Sequence, residues 1–160
     1  MDKTQHLYDL IEGFGTAMLV TCKSGGLHAR PMAVAQIEHG ADAYFATSID
    51  SPKVAEIEAD PHVLLTFQSS AKFASVEGEA AVVRDRALID KLWSSEWKMW
   101  FPEGKDDPSL CILKVHPKSA EFWDNSGGKG MKYLFEGAKA VLQGHKPEIG
   151  EDQHGKVQLR

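Results

Sequence analysis

Residues 16–37, TAMLVTCKSGGLHARPMAVAQI, decide how this chain is read. Two runs rich in β-branched and aliphatic residues, Thr16 to Lys23 and Leu27 to Ile37, flank Ser24, Gly25 and Gly26. Strand-like runs joined by a short glycine turn predict a β-hairpin. Before it, Leu7, Leu10, Ile11 and Phe14 recur at helical spacing and Gly13 and Gly15 close the segment, which predicts an amphipathic helix over 4–14.

Beyond it, the turn His39 to Asp42 leads to a strand at Ala43 to Thr47, and further strands are expected at His62 to Gln68, Phe73 to Val83, Leu110 to Val115 and Ala120 to Trp123. Helices interrupt this series. One starts at Ser51 and stops at Asp60 and Pro61, and one is capped by Asp85 with Leu88, Leu92 and Trp93 as its buried stripe. About seven strands in meander-like order, with helices inserted rather than alternating, predict a mainly β protein, an antiparallel barrel rather than a parallel doubly wound sheet. No Gly-x-Gly-x-x-Gly follows a strand. A single domain covers 1–160: the helix 4–14, a barrel over 16–123, then a C-terminal helix marked by Leu134, Phe135, Ala138, Val141 and Leu142, and a polar tail that has no sequence reason to fold, together 129–160.

Composition removes several function classes. A net charge of −5 argues against nucleic acid as partner. No apolar run approaches the roughly 18 residues of a membrane span and Met1 to Leu10 holds no signal core, so a soluble, cytoplasmic location is expected. Cys22 and Cys111 lie in apolar strand-like runs and are expected as buried free thiols. No His pairs with Cys or another His at ligand spacing, so no metal is expected.

A candidate site emerges at the ends of the first strands. Arg30, Pro31 and Met32, then Thr47 and Ser48, then Ser51, Pro52 and Lys53 place two cations and several hydroxyls close together. A phosphate monoester carries about −1.5 to −2 charges and three acceptor oxygens. Arg30 can grip two of them in its planar fork, Lys53 adds a point charge, and Thr47, Ser48 and Ser51 can donate the rest. Ser51 as N-cap and Pro52 at the first helical position would also aim a helix N-terminus at the anion. Other motifs fail on inspection. Gly127-Gly128-Lys129-Gly130 lacks the Ser or Thr of a phosphate loop and reads as a flexible connector, and Ser126 lacks a Gly-x-Ser-x-Gly frame. The pairs Glu77 and Glu79, and Asp106 and Asp107, read as solvated. Trp93, Trp97 and Trp100 fall on one helical face, read first as core or dimer interface and second as the wall beside a planar ligand. Trp123 ends a strand beside polar residues, where a large ring commonly lines a pocket mouth.

Taken together, Arg30-Pro31-Met32, Phe45-Ala46-Thr47-Ser48 through Ser51-Pro52-Lys53, Val76-Glu77-Gly78-Glu79-Ala80, Asp107-Pro108-Ser109-Leu110 and Glu121-Phe122-Trp123 resemble the pyridoxamine 5'-phosphate oxidase-like superfamily of flavin-binding split barrels, and more closely its general stress protein branch. The resemblance covers nearly the whole chain. It implies a homodimer of split barrels with FMN at the interface, FAD being the other flavin to consider. Carried onto this sequence, it puts Arg30 and Lys53 on the FMN phosphate with Ser48 and Ser51, and the backbone of Pro31, Met32, Ala33 and Val34 and of Tyr44, Phe45, Ala46 and Thr47 along the flavin ring and ribityl chain. Trp123 would reach the flavin from the other subunit.

Two departures stand against vitamin B6 oxidation. Asp124 to Tyr133 contains no Arg or His where the true oxidases carry a substrate-holding Arg-x-His element, and Phe73 falls near their flavin-contacting Gln. The expected function is therefore a general stress protein type of flavin-binding protein, with oxidoreductase chemistry on an unnamed substrate. The alternative is a flavin-binding or redox-sensing protein without turnover. A haem-binding split barrel ranks lower, since no His lies beside Trp123 or within 44–53.

Overall fold

The structure is a computed structural model and describes residues 2–146, 150 and 152–159. The hairpin of residues 16–37 forms as β1 (Thr16–Lys23) and β2 (Gly26–Ala33), with Thr16 opposite Ala33 and Lys23 opposite Gly26. Ser24 and Gly25 take φ of 47° and 80°, the left-handed pair that a two-residue turn needs to match the twist of its strands. The second strand ends earlier than the apolar run does. Val34 and Ala35 turn their N–H groups to the carbonyls of Gly15 and Tyr44, outside the hairpin ladder. β3 (Gln36–Ile37) then pairs with β4 (Ala43–Ser48) instead.

The remaining elements are α1 (Lys3–Ile11), α2 (Pro52–Ala59), β5 (His62–Gln68), β6 (Lys72–Val83), α3 (Arg86–Leu92), β7 (Leu110–Asp124), α4 (Lys129–Gln143) and β8 (His154–Gln158). The strands form one antiparallel sheet in the order β2-β1-β5-β6-β7-β4-β3, with β8 beside β7. This is not a meander: β1 keeps β2 on one edge and takes β5 on the other, and β4 pairs with β7. β2 and β3 end the path without pairing to each other, so the sheet is open, split-barrel-like rather than closed. Its concave face and α1 bury Leu7, Leu19, Phe45, Leu65, Phe67, Val76, Leu113 and Phe122, while Tyr44, Ile89, Leu92, Phe101, Leu110 and Ile112 make a second cluster under α3.

The sequence suggests two strands in 110–123, whereas β7 runs through unbroken. One edge of β7 carries β6 along its length; the other carries β4 over Leu110 to Val115 and β8 over Ser119 to Trp123. Pro117, which has no N–H to donate, falls where β7 changes partner. The register against β6 shifts between Glu77 and Gly78. A Cβ on Gly78 would lie 2.2 Å from the carbonyl oxygen of His116, so only glycine allows the two backbones to approach this closely.

The tail departs from expectation in a second way. Residues 147–149 and 151 lie outside the described residues, but β8 beyond them is paired, with Val157 buried and Gly155 seated on the ring of Phe122, 2.5 Å from where a Cβ would be. The glycine connector is pinned as well. Lys129 opens α4 and its Nζ sits 2.7 Å from Oδ2 of buried Asp124, which also meets His6 Nε2 at 3.0 Å and accepts from the Ser126 hydroxyl at 2.5 Å. Burial pushes the Asp124 carboxyl up, but hydrogen bonds from Lys129, Ser126 and His6 outweigh it and hold the group below the usual carboxylate range. Cys111 is buried and Cys22 only partly so, both as free thiols. Glu79 pairs with Lys118 and Asp106 with Arg86 at the surface. No helix among the described residues is long and apolar enough to cross a membrane.

Substituting Gly78→Ala must force β6 and β7 apart at the bulge. We expect a loss of at least about 2 kcal/mol in urea unfolding; an unchanged midpoint would show that the approach of the His116 carbonyl is not a constraint.

Candidate functional site

Four pieces of backbone converge on one cavity of about 460 Å³. The end of β2 supplies Pro31, Met32 and Ala33; the end of β4 supplies Ala46, Thr47 and Ser48; the start of α2 supplies Ser51 and Lys53; and a 3₁₀ turn after α3 supplies Trp97, with Trp100 and Phe101 following it. The cavity therefore has a polar end of hydroxyls and one amine, and an aromatic end. Its size is in the range of small-molecule and cofactor sites.

The polar end is organised by Lys53. Its Nζ donates to Thr47 Oγ1 at 2.9 Å and to Ser51 Oγ at 3.2 Å. Ser51 has the extended backbone of an N-cap, yet its side chain makes no capping bond to the helix; the hydroxyl faces Lys53 instead. The first turn of α2, with Pro52 at its start, thus keeps N–H groups free of the Ser51 hydroxyl. Burial, then the nearby charge of Arg30, lowers the pKa of Lys53.

Arg30 is placed differently from the reading of the sequence. It does not line the cavity. Its Nη2 lies 2.6 Å from Glu56 Oε2, its Nη1 donates to Thr21 Oγ1 at 2.8 Å and to the Leu19 carbonyl at 3.3 Å. Glu56 is buried on α2, accepts from the Thr21 hydroxyl at 2.5 Å, and has His28 Nδ1 at 3.0 Å from its Oε1. His28 Nδ1 is also 2.7 Å from Arg30 Nη2, and an imidazole nitrogen can donate to the one or accept from the other, not both. Hydrogen bonds from Thr21 and His28, opposed by burial and then helped by Arg30, bring Glu56 down to about 2. Glu56 went unremarked in the sequence; its signal is its place three residues after Lys53, on the same helix face.

The other expected residues divide. Pro31, Met32, Ala33, Ala46, Thr47, Ser48, Ser51 and Lys53 come together at the cavity. Val34 packs against the main core and Phe45 is fully within it. Tyr44 belongs to the second cluster; its hydroxyl donates to Glu38 at 3.0 Å, and burial, then that carboxylate, pushes its pKa up to about 12. Trp123 stands at the far end of β7, half exposed, stacked on His154 with centroids 5.4 Å apart and Phe73 opposite it in register.

The tryptophans do not share a helix. α3 stops at Leu92, Trp93 is extended, and the Ser94 side chain caps a separate 3₁₀ turn by accepting from the Glu96 N–H. That break splits the two readings between residues. Trp93 packs beside the second cluster, edge-on to Trp97 at 5.6 Å, whereas Trp97, Trp100 and Phe101 wall the cavity. Phe101 directly follows this stripe in the chain. Trp100 is 64% exposed and so presents a ring that little protein covers.

An open antiparallel sheet carrying a cavity with a cationic, hydroxyl-rich end and an aromatic wall defines a split-barrel-like protein with a cofactor-sized cavity. Within that class, this chain belongs to the family described as pyridoxamine 5'-phosphate oxidase like, whose profile matches residues 2–148. It is 33% identical over 133 residues to general stress protein 26 of Bacillus subtilis, covering 80% of this chain and 92% of that protein. A Jannaschia sp. CCS1 protein assigned as general stress protein 26 superposes with a TM-score of 0.76 at 28% identity, over 98% of both chains. The general stress FMN/FAD binding protein of Xanthomonas citri superposes with a TM-score of 0.69 at 30% identity, over 79% of this chain and 92% of its own.

The depressed pKa of Glu56 makes a prediction of definite sign. Its unfolded-state value is near 4.3, so its contribution to stability is present above that pH and is lost as pH falls toward 2. The melting temperature should drop between pH 5 and pH 2.5, and drop less steeply in Glu56→Gln; equal slopes would mean that Glu56 is not held ionised by the fold.

Proposed function

We propose that the cavity binds a flavin, with FMN preferred over FAD, and that the protein works as a flavin-binding protein of the general stress type. The observation that carries this reading is the pairing, in one cavity, of a polar end built on Lys53 and an aromatic wall of Trp97, Trp100 and Phe101. Those two ends suit the two ends of FMN. Lys53, the hydroxyls of Thr47, Ser48 and Ser51, and the first N–H groups of α2 would hold the phosphate; the backbone of Pro31 to Ala33 and the indoles would hold the ring. FMN is preferred because the polar end offers one amine and a few hydroxyls, a shell for a single phosphate. Family membership and the FMN/FAD binding protein of Xanthomonas citri support the same ligand class.

When bound, the flavin would supply two-electron redox chemistry. The chain's own part is to fix the phosphate, orient the ring and exclude water from its face with Trp97 and Phe101. We further propose a homodimer, with Trp123 reaching the cavity of the other subunit; its half-exposed ring beside Phe73, at the opposite end of β7 from the cavity, supports that arrangement. Oxidoreductase activity on a substrate still to be named is the leading proposal for turnover. One observation favours the alternative, a flavin carrier or redox sensor: among the described residues, the cavity lining holds no carboxylate and no imidazole, and Lys53 is its titratable side chain. Oxidation of NADH or NADPH by the flavin-loaded protein above the rate of free flavin would decide for the enzyme.

Binding itself is tested by calorimetric titration with FMN and with riboflavin. Lys53→Ala should weaken FMN by roughly 30- to 100-fold, as expected for truncating one partner of a buried charge pair, and leave riboflavin nearly unchanged. Equal FMN affinity in wild type and variant would remove Lys53 from the phosphate site. As Lys53 loses its proton at a lower pH than an ordinary lysine, the ratio of FMN to riboflavin affinity should fall as pH rises, and begin to fall before an ordinary lysine would titrate.

A further inference from the structure

The charges around the cavity do not match the ligand just proposed, and the mismatch points to a role for Glu56. Arg30 immediately precedes the Pro31 to Ala33 wall, and Lys53 and Glu56 share one face of α2. With the Arg30 guanidinium 2.6 Å from Glu56 Oε2, the two charges cancel. Lys53 is left to face the anion with one positive charge, against about −1.5 to −2 on a phosphate monoester. Among the described residues, Arg30, close enough to depress the Lys53 pKa, is the cation that could join Lys53 by changing partner.

The network is built so that it can. Glu56 Oε2 also accepts from the Thr21 hydroxyl at 2.5 Å, and its Oε1 has His28 Nδ1 at 3.0 Å and Lys23 Nζ at 3.8 Å. Removing Arg30 would therefore leave the buried carboxylate with donors rather than orphaned, which is the condition that makes breaking a buried pair tolerable. His28 Nδ1 lies against both Arg30 and Glu56, so its proton can serve Glu56 outright once the guanidinium departs. Thr21 Oγ1 is likewise common to both partners, accepting from Arg30 and donating to Glu56.

We propose that Glu56 competes with an anionic ligand for Arg30, so that this buried carboxylate sets how strongly the cavity prefers a phosphate-bearing ligand to its uncharged counterpart. The inference rests on the flavin-phosphate reading of the cavity. Glu56 touches neither ligand nor reacting atoms; it acts through Arg30 as a positioning residue. In the ligand-free protein it stores Arg30 at the back of the site, and phosphate draws the guanidinium forward while Thr21, His28 and Lys23 retain the carboxylate.

The test is the ratio of FMN to riboflavin affinity, read by calorimetry on the full chain. Glu56→Gln keeps an acceptor for Thr21 but releases Arg30 from its counter-charge, so the ratio should rise by about tenfold, with riboflavin affinity unchanged. In an Arg30→Gln background the same substitution should leave the ratio where it is. A purely structural Glu56 would weaken both ligands alike, and an unchanged or lower ratio in Glu56→Gln overturns the proposal. Should that variant not fold, the wild type answers: FMN, and not riboflavin, should shift the guanidinium NMR signals of Arg30, and identical spectra with both ligands would refute the handover. A wild type that binds neither flavin overturns the flavin reading itself, an outcome distinct from tight FMN binding with no change of ratio.

Discussion

The structure hangs on β7. Its length lets one strand hold β6 along one edge while β4 and β8 divide the other, so the halves of the sheet are tied through its ladders. Every N–H and C=O along it must find a partner or water. The pairing of Thr47 with Cys111 and Ser48 with Leu110 sets where the end of β4 stands, and with it the hydroxyl side of the cavity. The change of partner at Pro117 and the glycine at the bulge are local costs of keeping so long a strand continuous while it bends.

The cavity is made by coupling this ladder to a second, polar staple. Glu56 ties α2, which carries Ser51 and Lys53, to the hairpin that carries Arg30 and the Pro31 to Ala33 wall. One buried carboxylate thus bridges the elements that carry two sides of the cavity. The third side, from Trp97 to Phe101, depends instead on apolar packing over Tyr44, Leu110 and Ile112. Polar contacts therefore shape one end of the cavity, and a segment with an exposed indole at Trp100 shapes the other.

Much of the fold was legible in residues that act locally. The hairpin at Ser24 and Gly25, the helix beginning at Pro52 and the Asp85 cap follow from backbone preferences of the residues concerned, which act over three or four positions. The hydroxyl and lysine members of the site were legible for the same reason: Thr47, Ser48, Ser51 and Lys53 lie within one strand-to-helix connection, so proximity in sequence becomes proximity in space. The tail strand β8 was not, because His154 to Gln158 has no pattern of its own and folds only by filling the open edge of β7.

The amino-acid sequence by itself determined the class of fold, the antiparallel character of its strands and the hydroxyl-and-amine chemistry of the polar end of the cavity, all consequences of short-range preference and residue type. Tertiary structure alone decided that the sheet stays open, that 110–124 is one strand, and that Trp97 and Trp100, and not Trp93, face the cavity. It also decided that Arg30 is held by Glu56 rather than presented to the cavity. Each of these depends on partners distant along the chain, such as Thr21, Arg30 and Glu56, whose hydrogen bonds exist only once β1, β2 and α2 have packed together.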